Sequence, residues 1–205
     1  MSAAIVVVDY GLGNIQSVAG AVRKLGFEVA VSDDRRDLER AEKLILPGVG
    51  AFGDGMRLLD ARKLTPLLNE LVLERQKPIL GICLGAELMA RESEEFGHHH
   101  GLGWVDASVI RLEGGPGLRV PHVGWNSVHQ LVAHPMFADV PQDALFYFVH
   151  SYHIVCDRPD TAVGVAQHGT TVTAAFARGH IWGTQFHPEK SQRHGLTLLG
   201  NFLRA

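Results

Sequence analysis

Short, almost wholly apolar runs alternate with amphipathic ones along the first half of the chain. Residues 5–9 (Ile-Val-Val-Val-Asp) read as a buried strand. Ile15, Val18, Ala19, Val22 and Leu25 then recur at helical spacing, and Gly26 closes that helix. Residues 28–31 read as a second strand, and residues 44–46 as a third, which Pro47-Gly48 is expected to stop. Residues 56–74 read as mostly helical, with Pro66 starting a second helix after Thr65. Residues 79–82 are the next strand, and a helix-like stretch, residues 86–91, follows closely. Near-continuous apolar strands alternating with helices imply a parallel sheet covered on both faces.

The second half changes character. Residues 107–112, 145–155, 162–167 and 172–177 are strand-like with no long helix between them. His168-Gly169-Thr170 looks like a hairpin turn, residues 181–186 are one more strand, and residues 191–203 make an amphipathic helix with Leu196, Leu199, Gly200 and Leu203 on one face. The expected fold class is therefore α/β: an open, mainly parallel sheet with helices on both faces and an antiparallel extension. Sites in such sheets lie past the carboxyl ends of strands. Asp9, Pro47-Gly48, Cys83 and His187 all fall there, so they are expected to share one edge.

Composition narrows the picture further. The length of 205 residues suits one domain, residues 1–205, with a sizeable core. A formal charge of −3 argues against nucleic acid as the main partner. No apolar run approaches the roughly 20 residues of a membrane helix. Met1-Ser2-Ala3-Ala4 has no basic region and no cleavage pattern, so no secretory leader is expected. The two cysteines, Cys83 and Cys156, do not suggest a disulfide framework, Cys156 is expected to pack in the core, and a cytoplasmic location follows by default. His98-His99-His100 reads as a solvated loop rather than a metal site, because adjacent imidazoles splay apart. No cofactor and no metal are called for.

The candidate chemistry starts at Gly81-Ile82-Cys83-Leu84-Gly85. A strand running into this pentapeptide and a helix leaving it match a nucleophile elbow. Gly81 and Gly85 lack the β-carbons that would clash in so tight a turn. At the helix N-terminus Cys83 is expected to favour thiolate. The pentapeptide alone is weak, since a cysteine after an apolar strand is most often a small buried hydrophobe. His187-Pro188-Glu189 strengthens it: a base that takes a thiol proton works better with a carboxylate orienting its other ring nitrogen. Alone, His-Pro-Glu would read as a surface turn. The glycine-rich turn Pro47-Gly48-Val49-Gly50 follows a strand and lacks the Lys-Ser or Lys-Thr of a phosphate loop. An oxyanion role fits it better, shared by the turn at Val49 and Gly50 with the N–H of Leu84.

Together PGVGAF, GICLG and QFHPEKS resemble the class I, triad-type glutamine amidotransferases, over most of the chain. Within them Asp9-Tyr10-Gly11-Leu12-Gly13-Asn14, Ser93-Glu94-Glu95-Phe96-Gly97, Pro121-His122-Val123-Gly124-Trp125-Asn126 and Tyr147-Phe148-Val149-His150-Ser151-Tyr152 look like the glutaminase subunits of imidazole glycerol phosphate synthases. That resemblance implies Cys83, His187 and Glu189 as nucleophile, base and orienter, acting on glutamine through a thioester. It implies Gly48, Glu87, His150, Ser151 and Tyr152 around the substrate. It further implies a separate (β/α)8 cyclase subunit as partner, forming a heterodimer. That subunit receives ammonia along a shielded route and makes imidazole glycerol phosphate and aminoimidazole carboxamide ribonucleotide in histidine biosynthesis. Asn14, Trp125, Tyr147 and Lys190 would face it.

One position departs from the family. The usual Gly-Met-Gln after the elbow is Gly85-Ala86-Glu87 here. Glu87 lies one helical turn from Cys83, where a carboxylate would attract the α-ammonium of glutamine, repel its α-carboxylate and hold the thiol pKa up. The chain is then a glutaminase with a tolerated substitution, or a weakened one that persists as a binding partner. A glutaminase of another synthase, or a cysteine peptidase on a similar sheet, are the other readings.

Overall fold

A computed structural model of the chain describes residues 4–115 and 117–205. Its elements run β1 (Ile5–Val8), α1 (Ile15–Lys24), β2 (Val29–Ser32), α2 (Arg35–Arg40), β3 (Lys43–Gly48), α3 (Phe52–Ala61), α4 (Leu64–Asn69), β4 (Ile79–Cys83) and α5 (Leu84–Glu87). There follow β5 (Glu92–Ser93), β6 (His99–His100), β7 (Ala107–Arg111), β8 (His122–Gln130), β9 (Ala144–His150) and β10 (Tyr152–Cys156). The chain closes with β11 (Ala162–His168), β12 (Thr170–Arg178), β13 (Ile181–Thr184) and α6 (Gln192–Arg204).

A nine-stranded sheet has the order β2-β1-β3-β4-β13-β12-β11-β8-β9. Every pairing from β2 to β13 is parallel, and every pairing from β13 to β9 is antiparallel. The expected α/β sheet with an antiparallel extension is thus present, and the extension is as large as the parallel part. The apolar runs are buried on both faces because alternate side chains enter different cores. Val6 and Val8 join Leu44, Leu46 and Trp104 on one side. Ile5 and Val7 join Ile45, Leu80 and Phe202 on the other. A four-stranded sheet, β10-β7-β5-β6, packs Val109 and Ile154 into the first of these cores.

Several expected boundaries move. Pro47-Gly48 does not stop β3, whose last residues pair in parallel with Ile82 and Cys83. The helix expected at 86–91 is instead α5, ending at Glu87, after which the chain turns towards β5. The stretch 56–74 splits at Lys63, whose φ of 58° is left-handed, and α4 begins before Pro66 and runs into a π-helical turn, Glu70–Glu74. Residues 145–155 are two strands in two different sheets, divided at Ser151. The histidine run is a short edge strand, with His98 Nε2 bonded to Glu92 Oε2 at 2.9 Å, and no metal-binding cluster of three or more side chains exists among the described residues. Cys156 is half-buried against the core, not inside it. No helix among the described residues is long and apolar enough to cross a membrane.

Candidate active site

The parallel strands β1, β3, β4 and β13 all end on one edge, and this register builds the site. Gly48 lies opposite Cys83, and Thr184 opposite Ile82. His187 therefore leaves its strand beside the strand that delivers Cys83. Cys83 itself has φ 52° and ψ −117°, a conformation that L-residues rarely adopt. Glycines make room for it. A β-carbon on Gly85 would lie 1.8 Å from the Leu46 carbonyl oxygen, and one on Gly81 2.6 Å from Ala86 Cα. The turn is held in this strained form by close backbone contact.

Cys83 is buried, and its Sγ donates a weak, long bond to the Val149 carbonyl at 3.9 Å. Burial first, and the neighbouring Glu87 second, push the thiol well above its usual pKa, with Glu189 adding to them. The Leu84 N–H and Lys190 pull the other way and lose. The expected preference for thiolate is thus reversed. The helix α5 has too few residues for its N-terminal dipole to offset desolvation. Proton transfer to a base must accompany attack.

A candidate for that base lies just past the end of the neighbouring strand. His187 Nδ1 donates to Glu189 Oε1 at 2.9 Å, and both side chains are buried. In a neutral ring this tautomer leaves Nε2 as the acceptor. His187 Nε2 has no hydrogen-bond partner among the described residues. The backbone around the ring is clamped. His187 N–H donates to the Tyr147 carbonyl, Ser191 Oγ donates to the His187 carbonyl at 2.6 Å, and Tyr147 N–H donates to Ser191 Oγ at 2.9 Å. In the sequence Ser191 reads only as the start of the C-terminal helix.

A cavity of about 480 Å³ opens over Cys83. Its wall brings together Val49, Gly50, Leu84, Glu87, Lys190 and the strip His150-Ser151-Tyr152. Gly50 has φ +114°, which suits glycine at the turn beside the cysteine. Gly48 is not on that wall. It is still paired in β3, and a β-carbon there would meet Tyr10 Oη at 2.4 Å and Gly85 N at 2.7 Å, so it packs the elbow from behind. Glu95 and Val149 also line the cavity, where the sequence alone gives neither a role. Glu95 Oε2 accepts the Phe52 N–H at 2.6 Å, tying the SEEFG segment to the start of α3. That acidic segment was the available signal.

Glu87 is only 4% exposed. Gln185 Nε2 donates to its Oε1 at 2.7 Å. Burial pushes its carboxyl up to about 8, with a smaller upward push from Glu95, against the effect of the Gln185 bond. The remaining candidates lie on the flank of the site. Trp125 is 46% exposed, and its ring meets Tyr147 edge-on with centroids 6.0 Å apart. Lys190 Nζ stands 5.9 Å from the Tyr147 ring centroid. Asn14 immediately precedes α1, which packs against the Pro188–Lys190 turn.

The family model described as glutamine amidotransferase class-I matches residues 6–205. An imidazole glycerol phosphate synthase subunit HisH 2 of Pseudomonas aeruginosa is 45% identical over 97% of this chain and 98% of its own. A subunit HisH of Symbiobacterium thermophilum is 45% identical over 98% and 94%. Among solved structures, PurLQS from Thermotoga maritima aligns with a TM-score of 0.74 at 19% identity, covering 100% of this chain and 99% of that one. A glutamine amidotransferase crystal structure aligns at 0.72 and 21%, covering 97% of each. At such identities these structures share the fold. The chain belongs to the class-I glutamine amidotransferases and, among them, to the HisH subunits of imidazole glycerol phosphate synthase.

Proposed function

We propose that this single domain is the glutaminase subunit of a cytoplasmic imidazole glycerol phosphate synthase and feeds ammonia to a separate cyclase subunit. His187 Nε2 takes the Cys83 proton as Sγ attacks the side-chain amide carbon of glutamine. The developing oxyanion is met by the N–H groups of Leu84 and of the turn at Val49 and Gly50. His187 returns the proton to the departing nitrogen, ammonia leaves, and a γ-glutamyl thioester remains on Cys83. Water, deprotonated by His187, then releases glutamate. Glu189 keeps the ring in the tautomer that each transfer needs. Glu87, His150, Ser151 and Tyr152 surround the substrate. Ammonia is mostly protonated in neutral water and is then no nucleophile, so a docked cyclase and a dry passage preserve it. Asn14, Trp125, Tyr147 and Lys190 form the docking flank.

The observation that carries this reading is the buried His187–Glu189 pair beside a cysteine held at φ 52° on the neighbouring strand. The buried Glu87 favours a second reading, a binding partner with weakened glutaminase activity. Glutamate release from glutamine separates the two. It is measured for this chain alone, with the cyclase, and with the cyclase and its nucleotide acceptor, each beside a Cys83→Ala control. Strong release in the complete mixture that vanishes in the control is expected. No release in any mixture, with the complex still forming, would favour the second reading.

A further inference from the structure

Leading back from His150 on the cavity wall, β8 and β9 carry a line of hydrogen bonds to which the reaction above assigns no role. Asn126 Nδ2 faces His122 Nε2 at 3.2 Å, His122 Nδ1 faces His150 Nε2 at 2.9 Å, and His150 Nδ1 faces the Tyr152 carbonyl at 2.8 Å. Both ends of this line are fixed by backbone. A carbonyl can only accept, so His150 Nδ1 carries a proton and its Nε2, in a neutral ring, accepts. His122 Nδ1 must then donate, which leaves His122 Nε2 to accept from Asn126. The amide of Asn126 has no freedom to reverse, because Nδ2 also donates to the Gln167 carbonyl at 2.9 Å and Oδ1 accepts the Ser127 N–H at 2.8 Å. One direction of donation satisfies every atom, and the reverse would set two acceptors against each other at Tyr152.

The surroundings keep the rings in this arrangement. His122 is stacked between Phe148, with centroids 4.8 Å apart, and His168, at 4.1 Å. His168 is itself held by donating from Nε2 to the Arg119 carbonyl. Burial, with the nearby His168, pushes His122 down to about 4. Burial pushes His150 down to about 3, and the neighbouring His122, His153 and His168 act in the same direction. A proton on the acceptor nitrogen of either ring would turn that acceptor towards a donor.

The line ends at a mechanically important corner. Ser151 divides β9, in the large sheet, from β10, in the small one. The His150–Tyr152 bond closes that corner. Its residues carry the Val149 carbonyl that meets Cys83 Sγ and the Ser151 and Tyr152 side of the cavity. We propose that His122 is a positioning residue for the glutaminase site: through its hydrogen bond to His150 it fixes the ring and tautomer that hold the Val149–Tyr152 wall over Cys83.

This rests on the glutaminase reading, so the test has one arm that needs no activity. In the ¹⁵N-histidine-labelled full chain, NMR is expected to show His150 protonated at Nδ1 with a nitrogen–nitrogen coupling from His122 Nδ1 to His150 Nε2. A His150 protonated at Nε2 would overturn the proposal whatever the enzyme does. In the second arm, glutamine kinetics are measured in the complex with the cyclase. His122→Phe keeps the stack and cannot hydrogen-bond, and it is expected to raise KM by about tenfold, the scale of one lost hydrogen bond. His122→Gln retains a donor and an acceptor and is expected to stay within about threefold of wild type. Equal impairment of both variants, or none in His122→Phe, would overturn the proposal. If His122→Phe does not fold, the His122→Gln kinetics and the wild-type spectrum decide it, and a tenfold loss in His122→Gln would count against it. Failure of Cys83→Ala to abolish turnover would instead remove the glutaminase reading and leave the spectrum standing.

Discussion

Gln185 Nε2 donates to Glu87 Oε1 at 2.7 Å, and no ion pair is formed by Glu87 among the described residues. The titratable groups that act on this carboxyl or feel its charge are Cys83, Tyr10 and Glu95, none of them a cation. A buried acid in such company keeps its proton, and a neutral carboxyl resembles a glutamine amide in shape and hydrogen-bonding capacity. That is the physical reason the substitution is compatible with a working site.

Glu87→Gln is therefore expected to change kcat/KM for glutamine by less than about tenfold near neutral pH, a ceiling of roughly 1.4 kcal/mol. Its stability effect has a definite sign. The folded carboxyl titrates near 8, and its ordinary value is 4.5, so the unfolded chain sheds this proton first as pH rises. The contribution of Glu87 to stability is full below pH 4.5 and is lost as pH rises through about 8. The Tm advantage of Glu87→Gln over wild type should accordingly grow from pH 5 to pH 8.5. A constant difference across that range would mean that Glu87 is ionised throughout and neutralised by a group not identified above.

The elbow makes a sharper prediction about backbone contact. Gly85→Ala would set a methyl group 1.8 Å from the Leu46 carbonyl oxygen, a contact with main chain that side-chain rotation cannot relieve. A loss of more than about 3 kcal/mol is expected. Gly20 is the matched control, since it lies in α1 with nothing within 4 Å of a β-carbon. Gly20→Ala should gain about 0.5–1 kcal/mol from the unfolded-state entropy it removes. Denaturant unfolding of both variants checks the pair. Equal effects would show that the close packing around Gly85 relaxes freely.

The two halves of the proposed catalytic pair can be separated by kinetics. Glu189→Gln retains size but presents its amide to His187 Nδ1 as donor or acceptor, so the useful tautomer is no longer enforced. A fall in kcat of about 10²–10⁴-fold with KM within about threefold is expected. Steady-state glutaminase assays in the cyclase complex read this directly. A matched rise in KM would assign Glu189 to substrate binding.

Much of this site was legible in sequence because its parts are local. The Gly81–Gly85 glycines, the His187-Pro188-Glu189 turn and the apolar strands before them each carry their signal within a few residues. What was not legible depends on contacts between distant residues. The strand β8 contains Gly124, Asn126 and Ser127 and has little intrinsic strand character, and it forms because β9 pairs with it from His122 to Val128. The helix α2 has only Leu38 buried, and it is set by an Asp34 side chain that accepts the Arg36 N–H. The reversal of the Cys83 preference follows from desolvation by the whole surrounding fold, which neither a helix dipole nor a motif reports.

The proposed docking flank offers the last test. β8 and β9 turn one face outward, where Trp125 lies opposite Tyr147 and Ser127 opposite Leu145. Val123, Trp125 and Leu145 are all exposed there, a contiguous apolar strip on a pair of strands that ends the large sheet. Trp125 is the large side chain of that strip, and Lys190 over Tyr147 sets a cation at its border with the cavity. Interfaces place their energy in such central aromatics and their association rates in rim charges. Trp125→Ala is expected to weaken binding to the cyclase by about 2 kcal/mol, roughly 30-fold in Kd, carried mostly by faster dissociation. Its own stability should change by less than about 0.5 kcal/mol, because the ring is largely outside the core. Lys190→Ala should instead slow association and flatten its salt dependence. Calorimetric titration with stopped-flow association at two ionic strengths distinguishes these effects, and wild-type affinity in Trp125→Ala would place the cyclase on another face of the molecule.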